Sequence, residues 1–83
     1  MRRHHELKIA PQYFGHVCAG LKNFEIRKND RDFRVGDTVR FYEWNQWEGY
    51  SGSATRTVTI SYVLKDVPEY GLAPGFCIFG WNN

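Results

Sequence analysis

Two basic residues, Lys22 and Arg27, flank an acidic residue, Glu25, within one short stretch of the sequence. Apolar and charged residues alternate from Phe24 to Arg27, which predicts a β-strand with Glu25 and Arg27 on one face and Lys22 at its entrance. Arg27 could bind phosphate through its planar guanidinium and Lys22 as a point charge, while Glu25 could accept hydrogen bonds from a base. The stretch therefore contains the side chains of a small binding site.

The same residues allow other interpretations. A carboxylate between two cations stays ionised, so Glu25 is better suited to accept hydrogen bonds than to donate a proton. A hydrolytic role would instead make Lys22 the group that activates water or a nucleophile, assisted by Glu25 or Glu43. Glu25 and Arg27 could also form ordinary surface ion pairs with neighbouring strands, which stabilise a fold only weakly. Binding is the simplest of the three roles.

Glu43, Trp44 and Tyr50 complete the set of candidate ligand-binding residues. Glu43 shares the parity of the core residues in the third predicted strand, which places its carboxylate at a strand end, at the mouth of a cavity or beside a cation. Trp44 ends that strand, and a long hairpin loop predicted over residues 45–53 contains Trp47 and Tyr50. These rings could stack on a base or pack against the helix or the hairpin.

The chain that positions these residues has the pattern of five short strands and one helix. Strands are predicted over residues 5–9, around 24–27, and over 38–44, 54–65 and 76–81, with a helix over 11–19. Phe24 and Ile26 are assigned to the core, and Val58, Ile60, Tyr62 and Leu64 to one face of the fourth strand. The predicted fold class is α+β, mostly β: a small barrel of about five strands flanked by the N-terminal helix.

Composition narrows the class of protein further. A chain of 83 residues predicts one domain over residues 1–83, and a net charge of +2 permits a nucleic-acid partner without requiring one. Cys18 and Cys77 lack metal-ligand spacing and are predicted to be buried thiols, so neither a metal nor another cofactor is expected. Without an apolar run of the ~20 residues that span a bilayer, we expect a cytoplasmic protein with no membrane partner.

A longer motif surrounds the charged residues. Gly20-x-Lys22-x-x-Glu25-x-Arg27 resembles the G-x-K-x-x-E-x-R signature of the ASCH domains, a branch of the PUA-like superfamily. Its continuation through residues 28–37 is similar to a set of small bacterial and phage ASCH-like proteins catalogued as a domain of unknown function. The resemblance extends over essentially the whole chain.

This resemblance implies a pseudo-barrel with a helix-flanked cleft lined by Lys22, Glu25 and Arg27. It also implies RNA, a nucleotide or a modified nucleoside as the ligand, because PUA-like folds commonly serve RNA-modifying and RNA-binding systems. Some ASCH relatives are amidohydrolases that act on acylated cytidine with a Lys, a Thr three residues later and a distant Glu; here Glu25 stands at the threonine position. We therefore expect an RNA- or nucleotide-binding module and, as the alternative, a small hydrolase of modified nucleosides or nucleic acid that uses Lys22 and Glu25.

Overall fold

A computed structural model describes residues 2–83, and of residues 51–53 it describes the backbone alone. The elements in chain order are β1 (His4–Ile9), α1 (Pro11–Cys18), β2 (Phe24–Lys28), β3 (Thr38–Asn45), β4 (Gly49–Lys65), a 3-10 turn (Pro68–Tyr70) and β5 (Phe76–Trp81). The predicted α+β, mostly β class with five strands and one N-terminal helix is confirmed.

The predicted hairpin loop over residues 45–53 is wrong. A turn at residues 46–48 joins β3 to β4, and the two strands pair up to it, with Trp44 opposite Tyr50 and Asn45 opposite Gly49. Backbone hydrogen bonding across the hairpin orders this polar and aromatic segment, although its sequence shows little strand periodicity. The side chains of residues 51–53 lie outside what the structure describes.

Within residues 2–83 five strands form one sheet in the order β1-β3-β4-β5-β2, in which β1 pairs with β3 in parallel and the other neighbours pair antiparallel. The prediction of a small barrel is wrong, because the sheet is not closed: no backbone ladder joins β1 to β2 within residues 2–83. Arginine side chains bridge this gap instead: Arg27 Nη2 donates to the carbonyl oxygen of Lys8, and Arg31 Nη1 donates to that of Glu6 at 3.0 Å. We call the gap between β1 and β2 the seam.

The core contains apolar side chains from α1, from the turn before β3 and from every strand except β2. Its buried members are Leu7, Ile9, Phe14, Val17, Phe33, Val39, Phe41, Val58, Ile60, Cys77, Phe79 and Trp81. Aromatic rings form its centre: the ring centroids of Phe33 and Phe79 are 4.9 Å apart, and those of Phe41 and Trp81 are 5.5 Å apart. The buried residue of β2 is an ionisable one, Glu25.

The inner and outer faces of β2 are therefore the reverse of those predicted. Phe24 and Ile26 are 51% and 55% exposed, whereas Glu25 is 7% exposed. Period-2 alternation identifies two faces but does not say which is inside, and the prediction chose the apolar one. The outer face includes Ile78, the β5 residue directly opposite Ile26. The inner face accepts Glu25 because two cations neutralise it.

Strand β4 changes face part of the way along. Val58 and Ile60 are buried as predicted, but Tyr62 is 65% exposed and Val63 packs against the core instead. The register with β5 shifts between Ile60 and Tyr62, and such a bulge reverses the parity of every later residue. The predicted single apolar face of β4 is thus wrong after Ile60.

The two cysteines differ in burial. Cys77 is buried in the core as predicted, and burial raises the pKa of its thiol. Cys18 is exposed, so the prediction of its burial is wrong: α1 instead buries Phe14 and Val17. No helix in residues 2–83 is long and apolar enough to cross a membrane.

Candidate functional site at the strand seam

The end of α1 determines where Lys22 enters the site. Gly20 has a φ of +76°, and its N–H donates to the carbonyl oxygen of Val17 at 3.1 Å, while the Leu21 N–H donates to that of His16 at 2.9 Å. This pair of hydrogen bonds is a Schellman motif, which favours glycine at the left-handed position. The chain therefore leaves the helix in a defined direction, and Lys22 lies two residues after Gly20.

Lys22, Glu25 and Arg27 form one ion-pair cluster, which we call the charged triad. Lys22 Nζ lies 2.5 Å from Glu25 Oε1. The Nε and Nη2 atoms of Arg27 donate to Glu25 Oε2 at 3.0 and 2.9 Å. Each carboxylate oxygen thus has its own cationic partner, and Arg27 directs two charge-assisted hydrogen bonds at the single oxygen Oε2.

The charged triad is partly withdrawn from water. The side chain of Glu25 is 9% exposed, that of Lys22 15% and that of Arg27 27%. A buried carboxylate is tolerated only when it is paired and hydrogen-bonded, which the two cations achieve. Two positive groups and one negative group leave a single positive charge at the site.

Both cations contact more than the carboxylate. Lys22 Nζ also donates to the carbonyl oxygen of Phe24 at 2.7 Å, and it lies 5.3 and 5.1 Å from the ring centroids of Tyr13 and Phe24, within cation–π range. Arg27 Nη2 reaches across the seam to Lys8, but Arg27 Nη1 has no hydrogen-bond partner in the part of the chain that the structure describes. Donors on Nη1 thus remain for a ligand.

An open cavity of about 500 Å³ lies over the charged triad, and we call it the seam cavity. The end of β1 and the start of α1, residues 8–10 together with Tyr13, form one side. Strand β2, residues 24–27, forms the other, and Lys22 completes the lining. Its volume lies within the range of roughly 300–1,000 Å³ that is usual for ligand pockets.

The structure brings three of the six predicted site residues into this cavity, and their role in binding stays a prediction. Trp44 lines a neighbouring cavity, with its ring centroid 4.8 Å from Lys8 Nζ. Tyr50 is 58% exposed and packs edge-on against Tyr42, at a centroid distance of 5.7 Å. Glu43 is half-buried on β3, opposite Ile9. Neither Glu43 nor Tyr50 is among the described residues that line the two cavities.

A buried His–Asp pair went unpredicted. His5 Nε2 lies 2.8 Å from Asp37 Oδ2, and the residues are 6% and 1% exposed. Burial opposes the ionisation of Asp37, but hydrogen bonds from His5 and from the N–H groups of Arg3 and Arg34 outweigh it, so the pKa of Asp37 lies below its usual 3.8. The sequence does indicate that His5 is buried, because it has the same parity as Leu7 and Ile9, the apolar residues of β1.

The charged triad contains one acidic side chain, that of Glu25. Among the residues that the structure describes, no group of three or more His, Cys, Asp or Glu side chains is arranged to hold a metal ion. The charged triad offers a single carboxylate, both of whose oxygens already contact cations. The arrangement is suited to binding an anion rather than a cation.

Comparisons with known proteins give a family and one relative. The sequence model of the family described as "Domain of unknown function (DUF3850)" matches residues 4–81, a range that includes all five strands and the helix. A protein of Escherichia phage P2, named "Uncharacterized 12.9 kDa protein in GpA 3'region", is 44% identical over 46 residues. The aligned segment is 55% of this chain and 42% of the phage protein, so the match spans less than half of that relative.

Proposed function

The chain belongs to the DUF3850 family, and from the geometry of the seam cavity we propose that it binds a nucleotide, either free or as part of an RNA strand. One observation carries the proposal: the charged triad lines an open cavity of about 500 Å³ whose other walls include aromatic rings. A nucleotide combines an anionic phosphate with a flat aromatic base, and this cavity offers a partner for each.

The phosphate is assigned to the two cations. Arg27 Nη1 and the ammonium of Lys22 supply donors beside the net positive charge of the charged triad. The rings of Tyr13 and Phe24, which are 44% and 51% exposed at the cavity wall, offer surfaces on which a base can stack. Glu25 then has a different role from the predicted one: it holds the two cations in place instead of accepting hydrogen bonds from the base.

The resemblance to ASCH domains supports the same ligand class. The motif residues Lys22, Glu25 and Arg27 are the ones that contact each other at the cavity, and a helix flanks it, as the resemblance implies for a PUA-like cleft. A PUA-like assignment is part of this proposal. It is compatible with a five-stranded sheet and one N-terminal helix whose edge strands approach each other without pairing.

The test is a titration of the purified chain with uridine, cytidine, adenosine and guanosine monophosphates and with short single-stranded RNA, by calorimetry at low salt. We expect Lys22→Met to weaken the binding of phosphate-bearing ligands by about 10- to 150-fold, since a charge-assisted hydrogen bond contributes about 1.5–3 kcal/mol. A plot of the logarithm of the binding constant against the logarithm of the salt concentration should have a slope of about −1 to −2, because only two cations contact the phosphate.

Lys28→Met is the matched control for this experiment. Lys28 lies on β2, as Glu25 and Arg27 do, but it is exposed and does not line the seam cavity, so its loss removes the same charge without touching the cavity. Equal effects of Lys22→Met and Lys28→Met would mean that only general charge is involved. The proposal fails if no ligand of the panel binds at low salt.

A hydrolase is the second candidate, and the 2.5 Å contact between Lys22 Nζ and Glu25 Oε1 is the observation that favours it. Such a pair could activate water against a modified nucleoside, with Lys22 and Glu25 as the reacting groups. The contacts favour binding, because Lys22 Nζ donates to two acceptors and both Glu25 oxygens are engaged. Turnover of an acylated cytidine that disappears in Lys22→Met and persists in Lys28→Met would instead establish the hydrolase.

A further inference from the structure

A second cavity adjoins the first at the end of β1. It has a volume of about 480 Å³ and lies between the start of α1 and the β3–β4 hairpin, and we call it the hairpin cavity. Lys8, Ile9 and Ala10 line both cavities, so one wall is common to the two. The seam cavity lies on the β2 side of this wall, and the hairpin cavity lies on the β3 side.

The hairpin cavity differs chemically from the seam cavity. Its lining includes two tryptophans: Trp44 is half-buried and Trp47 is 85% exposed. The cation at its wall, Lys8, already lies over the Trp44 ring, at 4.8 Å from the centroid. An indole as exposed as that of Trp47 is a costly surface to leave in water, and it is the type of platform on which unpaired bases stack.

Lys8 connects the two cavities physically. Its ammonium contacts Trp44 in the hairpin cavity, and its main-chain carbonyl accepts a hydrogen bond from Arg27 of the charged triad. The groups follow one another as cations in the seam cavity, a further cation on the common wall, and indole rings beyond it. A nucleic-acid strand matches this order, because its phosphates pair with cations and its bases stack on rings.

We propose that the two cavities form one groove for a single-stranded nucleic-acid segment of at least two nucleotides. In this groove one phosphate lies at Lys22 and Arg27, and the base of the next nucleotide stacks on Trp47. The inference rests on the proposed function and names its ligand as a strand rather than a free mononucleotide. Stacking of the second base should strengthen binding about 5- to 150-fold over the mononucleotide.

The test compares uridine monophosphate with the 5′-phosphorylated dinucleotide pUpU and with the corresponding deoxydinucleotide, by calorimetry on the full chain at low salt. We expect pUpU to bind at least 5-fold more tightly than the monophosphate. Trp47→Ala should remove that gain and leave the monophosphate affinity unchanged. Trp47 is exposed, so its replacement leaves the core intact. Tyr70→Ala is the control, because Tyr70 is an 81% exposed ring outside both cavities.

The outcomes separate the two proposals. If the monophosphate binds through Lys22 but pUpU binds no more tightly, the groove is wrong and the nucleotide site stands. A pUpU advantage that survives in Trp47→Ala also overturns the groove, because the second base then stacks elsewhere. If neither ligand binds, both proposals fail. Tighter binding of pUpU than of the deoxydinucleotide would identify the strand as RNA, and the reverse order would identify it as DNA.

Discussion

The guanidinium of Arg27 on β2 donates a hydrogen bond to the main-chain carbonyl oxygen of Lys8 on β1, although these two strands share no backbone ladder within residues 2–83. The same nitrogen, Nη2, donates to Glu25 at 2.9 Å. One side chain therefore links the charged triad to the opposite wall of the seam cavity. A substitution at Arg27 should consequently affect both the stability of the fold and the proposed ligand site.

Glu25→Gln should destabilise the fold. The substitution keeps the shape of the side chain but leaves Lys22 and Arg27 without a countercharge. Removing one partner of a fully buried ion pair costs about 3–5 kcal/mol, and the partial exposure of Arg27 reduces our expected loss to about 2 kcal/mol in the free energy of unfolding. Urea denaturation measures it, with Glu69→Gln, an exposed glutamate on the 3-10 turn, as the control. Equal midpoints for the two variants would contradict the prediction.

Arg27→Lys should not behave as a conservative change. An ammonium cannot donate at once to the Glu25 carboxylate and across the seam to Lys8 in the geometry of a guanidinium. We expect a loss of about 1–2 kcal/mol in the free energy of unfolding, from two hydrogen bonds weakened or broken. Arg56→Lys, at an exposed position of β4, should change the same quantity by less than about 0.5 kcal/mol.

The buried Asp37 should make stability depend on pH at the acid end. Its folded pKa lies below the 3.8 of an ordinary aspartate, so its contribution is fully present above that value and is lost as the pH falls through the folded pKa. The difference in free energy of unfolding between the wild type and Asp37→Asn should therefore shrink as the pH is lowered from 5 toward 2. A difference that stays constant over this range would show that the charge of Asp37 contributes nothing.

Two isoleucine truncations test the reversed face of β2. Ile26 is 55% exposed and Ile60 is 1% exposed, so the same substitution should have unequal costs. We expect Ile60→Ala to lose about 2–5 kcal/mol in the free energy of unfolding, and Ile26→Ala to lose less than about 1 kcal/mol. Thermal and chemical denaturation of the two variants under the same conditions measure both losses. A larger loss for Ile26→Ala would place that residue in the core.

Local patterns predicted the elements well and the faces less well. The positions of α1 and of most strand ends follow from features within a few residues, such as Gly20 at the helix end. Which face of β2 is buried depends on side-chain contacts, since Glu25 is buried only because Lys22 and Arg27 pair with it. A sequence without its structure does not show which of two alternating sets meets the core.

Two further features that the sequence did not predict arise from contacts distant in the chain. The parity change after Ile60 comes from a bulge against β5, and no glycine or proline within the strand there marks it. The pairing of His5 with Asp37 joins residues 32 positions apart, with no local motif to indicate it. The motif residues of the charged triad were identifiable because they lie close in sequence. The opposite wall of their cavity comes from the end of β1 and the start of α1.

The seam also affects how the protein meets other chains. An open sheet ends in strands whose free carbonyl and N–H groups can template the addition of a further strand, the first step of edge-to-edge polymerisation. On β1 the carbonyl oxygens of Glu6 and Lys8 are already occupied by Arg31 and Arg27. An incoming strand would have to displace both guanidinium groups, so these arginines protect the exposed edge in the way that closure protects a barrel.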